Sequence, residues 1–116
     1  MALKYATVSA ETNKIKGSAI YEAEETKSSP GAGDTFLLEN ESGGFRTILV
    51  SLLVTAGTGK IQYAISSRSK VLAGTATWFD WSSGVVSANT NDTLYHVSAI
   101  RQVNFSGTTV LEARWV

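Results

Sequence analysis

Apolar and polar residues alternate with period two along most of the chain, and no segment holds a 3.6-residue period for long. The clearest alternation runs from Phe45 to Thr55. Ile48, Val50, Leu52 and Val54 fall on one face, while Phe45, Leu49 and Leu53 share the other with Thr47, Ser51 and Thr55. Both faces are partly apolar, which predicts a central strand covered by a second sheet below and a partner above. Ala56-Gly57-Thr58-Gly59 reads as a turn, and Lys60 to Ser66 alternates again with Ile61, Tyr63 and Ile65 inward, so the pair predicts a β-hairpin. Ala76 to Trp81 predicts a short aromatic strand, and the polar stretch Val85 to Thr93 a loop. A second hairpin is expected at the end of the chain, Val97 to Phe105 turning at Ser106-Gly107 into Thr109 to Val116, with Leu111, Ala113 and Trp115 on one face.

The N-terminal third carries weaker patterns. Ala19 to Glu24 and Thr35 to Glu39 read as strands, joined by a breaker-rich loop that holds Pro30, the only proline. A helix over Ala19 to Lys27 competes with the first of these, because Glu22, Glu24, Glu25 and Lys27 are good helix formers; Ile20, Tyr21 and Thr26 favour the strand. Residues 1–17 read as an arm or a short edge strand. Six to eight short strands, frequent glycine turns and no crossover helices predict an all-β domain over residues 1–116, an antiparallel β-sandwich or jelly roll.

Composition narrows the functional classes. Ten basic and ten acidic side chains cancel, and Lys14, Lys16, Arg101 and Arg114 are scattered, so no basic stripe for nucleic acid or an anionic membrane is expected. Near-neutrality also weakens repulsion between copies of the chain. With no cysteine, disulfides and thiolate metal sites are excluded. Met1 to Ala10 lacks the basic start and apolar core of a secretory signal, and Asn40, Asn91 and Asn104 accordingly read as chance matches to the N-glycosylation pattern.

Catalytic chemistry finds little footing in the pattern. His96 is the single histidine, and no Gly-x-Ser-x-Gly elbow accompanies it. Glu22 and Glu24 would share a strand face, where a solvated surface is the ordinary explanation. The remaining acids are Glu25, Glu39, Glu41, Asp34, Asp80, Asp92 and Glu112, besides Glu11 in the N-terminal region. Asn89 to Asp92 offers oxygen ligands in a run that is equally standard turn chemistry. Gly57 to Lys60 lacks the spacing of a phosphate loop. No enzyme activity, cofactor or metal is expected.

Trp78, Phe79 and Trp81 crowd into four residues, with the two tryptophans at opposite parity. Either one tryptophan fills the core while the other covers a sheet edge, or one faces out as an interface anchor or a sugar-stacking platform, with Tyr95 beside it. Trp78, Trp81, Phe45, Pro30 and Tyr95 are therefore the candidate interface residues.

The stretches Gly59-Lys60-Ile61-Gln62-Tyr63, Ala76-Thr77-Trp78-Phe79-Asp80-Trp81 and Ala99-Ile100-Arg101-Gln102-Val103-Asn104-Phe105-Ser106-Gly107-Thr108-Thr109 resemble small virion proteins of tailed bacteriophages. These are similar to head decoration (cement) or head–tail proteins with β-sandwich folds, and the likeness spans roughly residues 45 to 116. The resemblance implies a structural protein assembled in the bacterial cytoplasm and located in the virion, one that buries surface against the major capsid protein or other virion proteins. A homo-oligomer, with a trimer favoured, follows from the two-faced strand at 45–55 and the spare tryptophan. A carbohydrate- or receptor-binding module and a tail or neck component are the alternatives.

Overall fold

A computed structural model of the protein describes residues 3–5, 7–8, 21–38 and 47–115, with the backbone alone for the first two stretches. Among these residues the elements follow as β1 (Leu3–Tyr5), β2 (Thr7–Val8), β3 (Tyr21–Lys27), β4 (Gly31–Ala32), β5 (Thr35–Leu37), β6 (Thr47–Ala64), α1 (Arg68–Ala73), β7 (Phe79–Asp80), β8 (Thr90–Tyr95) and β9 (Ala99–Trp115). The all-β class and the strand at β3 agree with the alternation pattern. The short helix α1 does not appear in it, since six residues are too few to display a 3.6-residue period.

The framework is the pairing of β6 with β9, antiparallel from Ile48↔Trp115 to Ala64↔Ala99. Neither predicted hairpin forms: each glycine turn lies inside a strand that carries on. Gly57 sits opposite Gly107 in the ladder, and both have left-handed backbones, with φ of 82° and 71°. Local turn residues permit either a reversal or a bend. Long-range pairing of the apolar face of Ile48, Val50 and Leu52 with that of Trp115, Ala113 and Leu111 selects the bend. Seventeen straight paired residues would run about 56 Å, yet the described residues extend no more than 41 Å in any direction.

The bend divides one continuous nine-stranded sheet into two halves. One half runs β2–β3–β9–β6–β8, using the C-terminal part of β9 and the N-terminal part of β6. The other runs β1–β5–β9–β6–β7, with β4 also on β9 and with β1–β5 the parallel pair. Hydrogen bonding is thus continuous across both halves, unlike the two separate sheets of the sandwich or jelly roll that the sequence suggests. The halves nevertheless close on one core. Tyr21, Ile48, Val50, Leu52, Leu94, Leu111 and Trp115 from the first pack with Phe36, Ile61, Trp81 and Ile100 from the second. A Cβ placed on Gly59 would stand 3.3 Å from Leu52 Cδ2 and 3.0 Å from Thr109 Cγ2, a measure of how tightly the bend folds back.

Buried polar side chains lock the inside of the bend. Thr109 Oγ1 donates to Gln102 Oε1 at 2.7 Å, and Gln102 Nε2 donates to the Glu25 carbonyl and carboxylate at 2.9 and 2.8 Å. Asn104 Nδ2 reaches the Lys27 carbonyl, the Gly107 carbonyl and Thr109 Oγ1. These bonds tie β3 of the first half to β9 of the second, and they explain why Gln102 and Asn104 occupy core positions in an otherwise apolar alternation. Along the outer edge of the bend, the segment between β7 and β8 satisfies the β6 backbone. Gly59 exchanges two hydrogen bonds with Val86, Trp81 N–H donates to the Ile61 carbonyl, and Asn89 Oδ1 accepts from Val54 N–H.

A second, smaller core lies outside the second half-sheet. Val71 of α1 packs there on Leu37, Ala64 and Ala99, with Ala76 and Trp78 alongside. Ser67 caps the helix start and the left-handed Gly74 ends it.

Candidate interaction surface

The core tryptophan is Trp81, 2% exposed, with its indole N–H donated to the Gly84 carbonyl at 2.6 Å. It cannot meet a partner from this position, and an exposed platform of Trp78, Trp81 and Tyr95 is not formed. Trp78 is half-buried and covers the outer face of the second half-sheet. One tryptophan in the core and one over the sheet is the resolution of their opposite parity. Ile65, expected inward, lies one residue past the end of β6 and is 65% exposed. Tyr95 is 64% exposed at the end of β8, and Pro30 is exposed in the link between β3 and β4. Phe45 lies outside the described residues, as do Glu39, Glu41 and most of the predicted N-terminal arm.

Parity on β6 and β9 sets the chemistry of the second half's outer face. Lys60 and Gln62 project there opposite Val103 and Arg101. Lys60 Nζ pairs with Asp80 Oδ1 at 2.8 Å, Gln62 Nε2 donates to the same oxygen at 2.9 Å, and Arg101 Nε donates to Gln62 Oε1 at 2.9 Å. The Arg101 guanidinium lies 4.3 Å from the Trp78 ring centroid, and Lys60 Nζ lies 5.7 Å from that of Phe105. The Lys60 ammonium, then the Gln62 amide, hold the Asp80 carboxyl below its ordinary value, and partial burial lowers that of Arg101. Arg68 and Lys70 of α1 are exposed. Leu72 is exposed on the same helix.

The first half's outer face is lined differently. Register aligns Glu22, Arg114, Leu49 and Thr93 in one row across β3, β9, β6 and β8, and Glu24, Glu112, Ser51 and Asn91 in the next. These rows line a trough of about 730 Å³. Arg114 Nε stands 3.8 Å from Glu22 Oε2, and Ser51 Oγ donates to Glu112 Oε1 at 3.2 Å. Glu24 and Glu112 are directly opposite across β3 and β9, a like-charge pair that disfavours itself. Leu49 stands 58% exposed in the trough. The sequence placed Leu49 and Ser51 on one face and Glu22 and Glu24 on one face. It could not bring those faces together, because strand register is a long-range property.

Between the outer edge of β8 and the end of β6 lies a hollow of about 300 Å³, lined by Tyr63, Ile65, Ser82, Val97 and residues 92–95. Tyr63 stacks on the exposed Phe79 with ring centroids 5.9 Å apart. Asp92 closes this edge, accepting from Thr93 N–H and from Ser82 Oγ, both at 2.8 Å. A charge held on an outward N–H is a recognised way of discouraging strand addition.

Among the described residues, no group of three or more His, Asp or Glu side chains is placed to hold a metal ion. Within the Asn89–Asp92 run, the Asn89 and Asp92 side-chain oxygens are engaged with the protein itself. His96 is exposed in the link from β8 to β9, with φ of 56°. What the arrangement offers chemically, among the described residues, is two outer faces that mix charged groups with apolar side chains open to solvent. No protein-family model matches the chain, and a search of curated proteins found no match.

Proposed function

We propose that the protein is a structural assembly component of a tailed-phage particle, a head decoration (cement) protein that bridges neighbouring capsid subunits as a homo-oligomer. The observation that carries this reading is the exposure of large apolar side chains on both outer faces and on the rim: Leu49, Leu72, Phe105, Phe79, Ile65 and Tyr95. Apolar groups set among charges on a rigid sheet suit burial against other subunits. The sequence resemblance to small virion proteins supplies the particle. Stable interfaces bury on the order of 1,600 Å² in total, and many copies on one shell multiply modest contacts. The capsid would then resist internal pressure through bonds that the decoration protein adds from outside.

The carbohydrate-binding alternative loses its platform with the burial of Trp81. The decisive experiment mixes purified protein with mature heads of the phage that encodes it, followed by sedimentation and electron microscopy. Saturable binding at regular positions on the shell, with heads that release DNA at a higher temperature, is the expected result. Failure to bind heads, or a signal confined to the tail or neck, would overturn the head assignment.

A further inference from the structure

We propose that Asp92 is a latch that holds the outer edge of β8 closed against β8 of a second copy of this chain. Among the described residues β8 pairs with β6 alone, so its other edge has no described strand beside it. Alternation fixes which backbone groups line that edge. The Val54 N–H leaves β6 on the β8 side, where it meets Asn89 Oδ1 just before β8 begins. Counting back in twos, Leu52, Val50 and Ile48 turn their backbone bonds the same way, toward Thr90, Asp92 and Leu94. Asn91, Thr93 and Tyr95 therefore turn theirs outward. The Thr93 N–H agrees, since its acceptor is Asp92 Oδ1 at 2.8 Å.

An edge with this spacing is complementary to itself. Two β8 strands run antiparallel about Thr93 set Asn91 opposite Tyr95 of the second copy, and Thr93 opposite Thr93. All three outward residues then fall on hydrogen-bonded positions, and one sheet continues into the next about a twofold axis. Thr93 is β-branched and Tyr95 is an aromatic ring 64% exposed, both types that favour cross-strand pairing. The one charge in the strand is Asp92, and it occupies the middle of that ladder. Its Oδ1 takes the Thr93 N–H, while Ser82 Oγ in the link from β7 donates to Oδ2 at 2.8 Å and holds the carboxylate in place. A charge-assisted bond within the chain is stronger than the neutral one a neighbour offers. Pairing would also press the carboxylate toward Leu94 of the second copy, where its lost hydration is not replaced. This latch acts in the free chain and goes beyond the shell contact proposed above; association of copies through other faces leaves the β8 edge open.

The test is sedimentation velocity and amide hydrogen exchange on the full chain, wild type against Asp92→Ala. In wild type, whatever its oligomeric state, the Asn91 and Tyr95 amides exchange freely while that of Thr93 is slowed. Asp92→Ala is expected to associate at least about tenfold more tightly than wild type, because both copies regain a central backbone hydrogen bond. The three outward amides become protected together as its concentration rises. Ser82→Ala leaves the Thr93 bond but frees the other carboxylate oxygen, and shifts association the same way by less. Asp92→Ala combined with Thr93→Pro returns to the wild-type state, since proline at an outward position removes that N–H and spares the β6 ladder. Circular dichroism checks that each variant folds. Protection of Asn91 and Tyr95 in wild type overturns the latch, as does an Asp92→Ala chain that associates no more than wild type or whose association leaves the three amides unprotected. Binding to heads is untouched by these outcomes and bears on the particle assignment alone.

Discussion

Gly57 and Gly107 show how much of this fold is decided by single positions. A Cβ on either would lie 2.0 Å from a carbonyl oxygen of the facing strand, Ser106 for Gly57 and Ala56 for Gly107. Each also has the positive φ that other residues adopt at a cost. Gly107→Ala is expected to lose about 1–3 kcal/mol from backbone conformation alone, with the clash adding to it, and urea denaturation will read the shift in midpoint. Asp80 gives a second test at this scale. Its folded pKa lies below 3.8, first through Lys60 and then Gln62. A depressed carboxylate contributes stability that is present above the unfolded value and lost as pH falls through the folded one. Carbon-13 NMR titration should place the Asp80 midpoint below that of an ordinary aspartate, and Lys60→Met should raise it. A midpoint indifferent to Lys60→Met would remove the ion pair as its cause.

Among the elements, α1 is the one whose attachment is least redundant. It rests on the sheet through Val71, the buried residue of the helix, and six residues are too few to hold a helix by hydrogen bonds alone. Val71→Ala removes two methyl groups, worth about 1.5 kcal/mol at about 0.8 each. Amide hydrogen exchange should accelerate within residues 68–73 while the central amides of β6 and β9 keep their protection. Uniform acceleration throughout the molecule would show that α1 is not a separate unit of opening.

For the whole molecule, β6 and β9 run through both half-sheets, and Gln102, Asn104 and Thr109 tie the halves across the bend. The main core belongs to neither half alone, because its cluster draws on both. Unfolding is therefore expected to be a single transition, with far-ultraviolet circular dichroism and tryptophan fluorescence coinciding. Two separated transitions would mean that the bend is a hinge between independent units.

The strand periodicity of this chain was legible without coordinates, because alternation is a local property. That Ile48, Val50 and Leu52 share one face, and Leu111, Ala113 and Trp115 another, follows from parity alone; that the first of these, and not the Leu49 face, is the buried side of its strand was decided by pairing. The opposite placement of Trp78 and Trp81 follows from parity too, although parity could not say which of the two goes inside. Tertiary structure decided the rest. Glycine-containing tetrapeptides encode the ability to bend or to reverse, and only the partner strand arriving in register turned two apparent hairpins into one folded ladder. Register in turn assembled the acidic trough from residues as far apart as Glu22 and Thr93. Side-chain alternation is written in neighbouring residues, whereas strand pairing depends on which distant surfaces bury the most apolar area together.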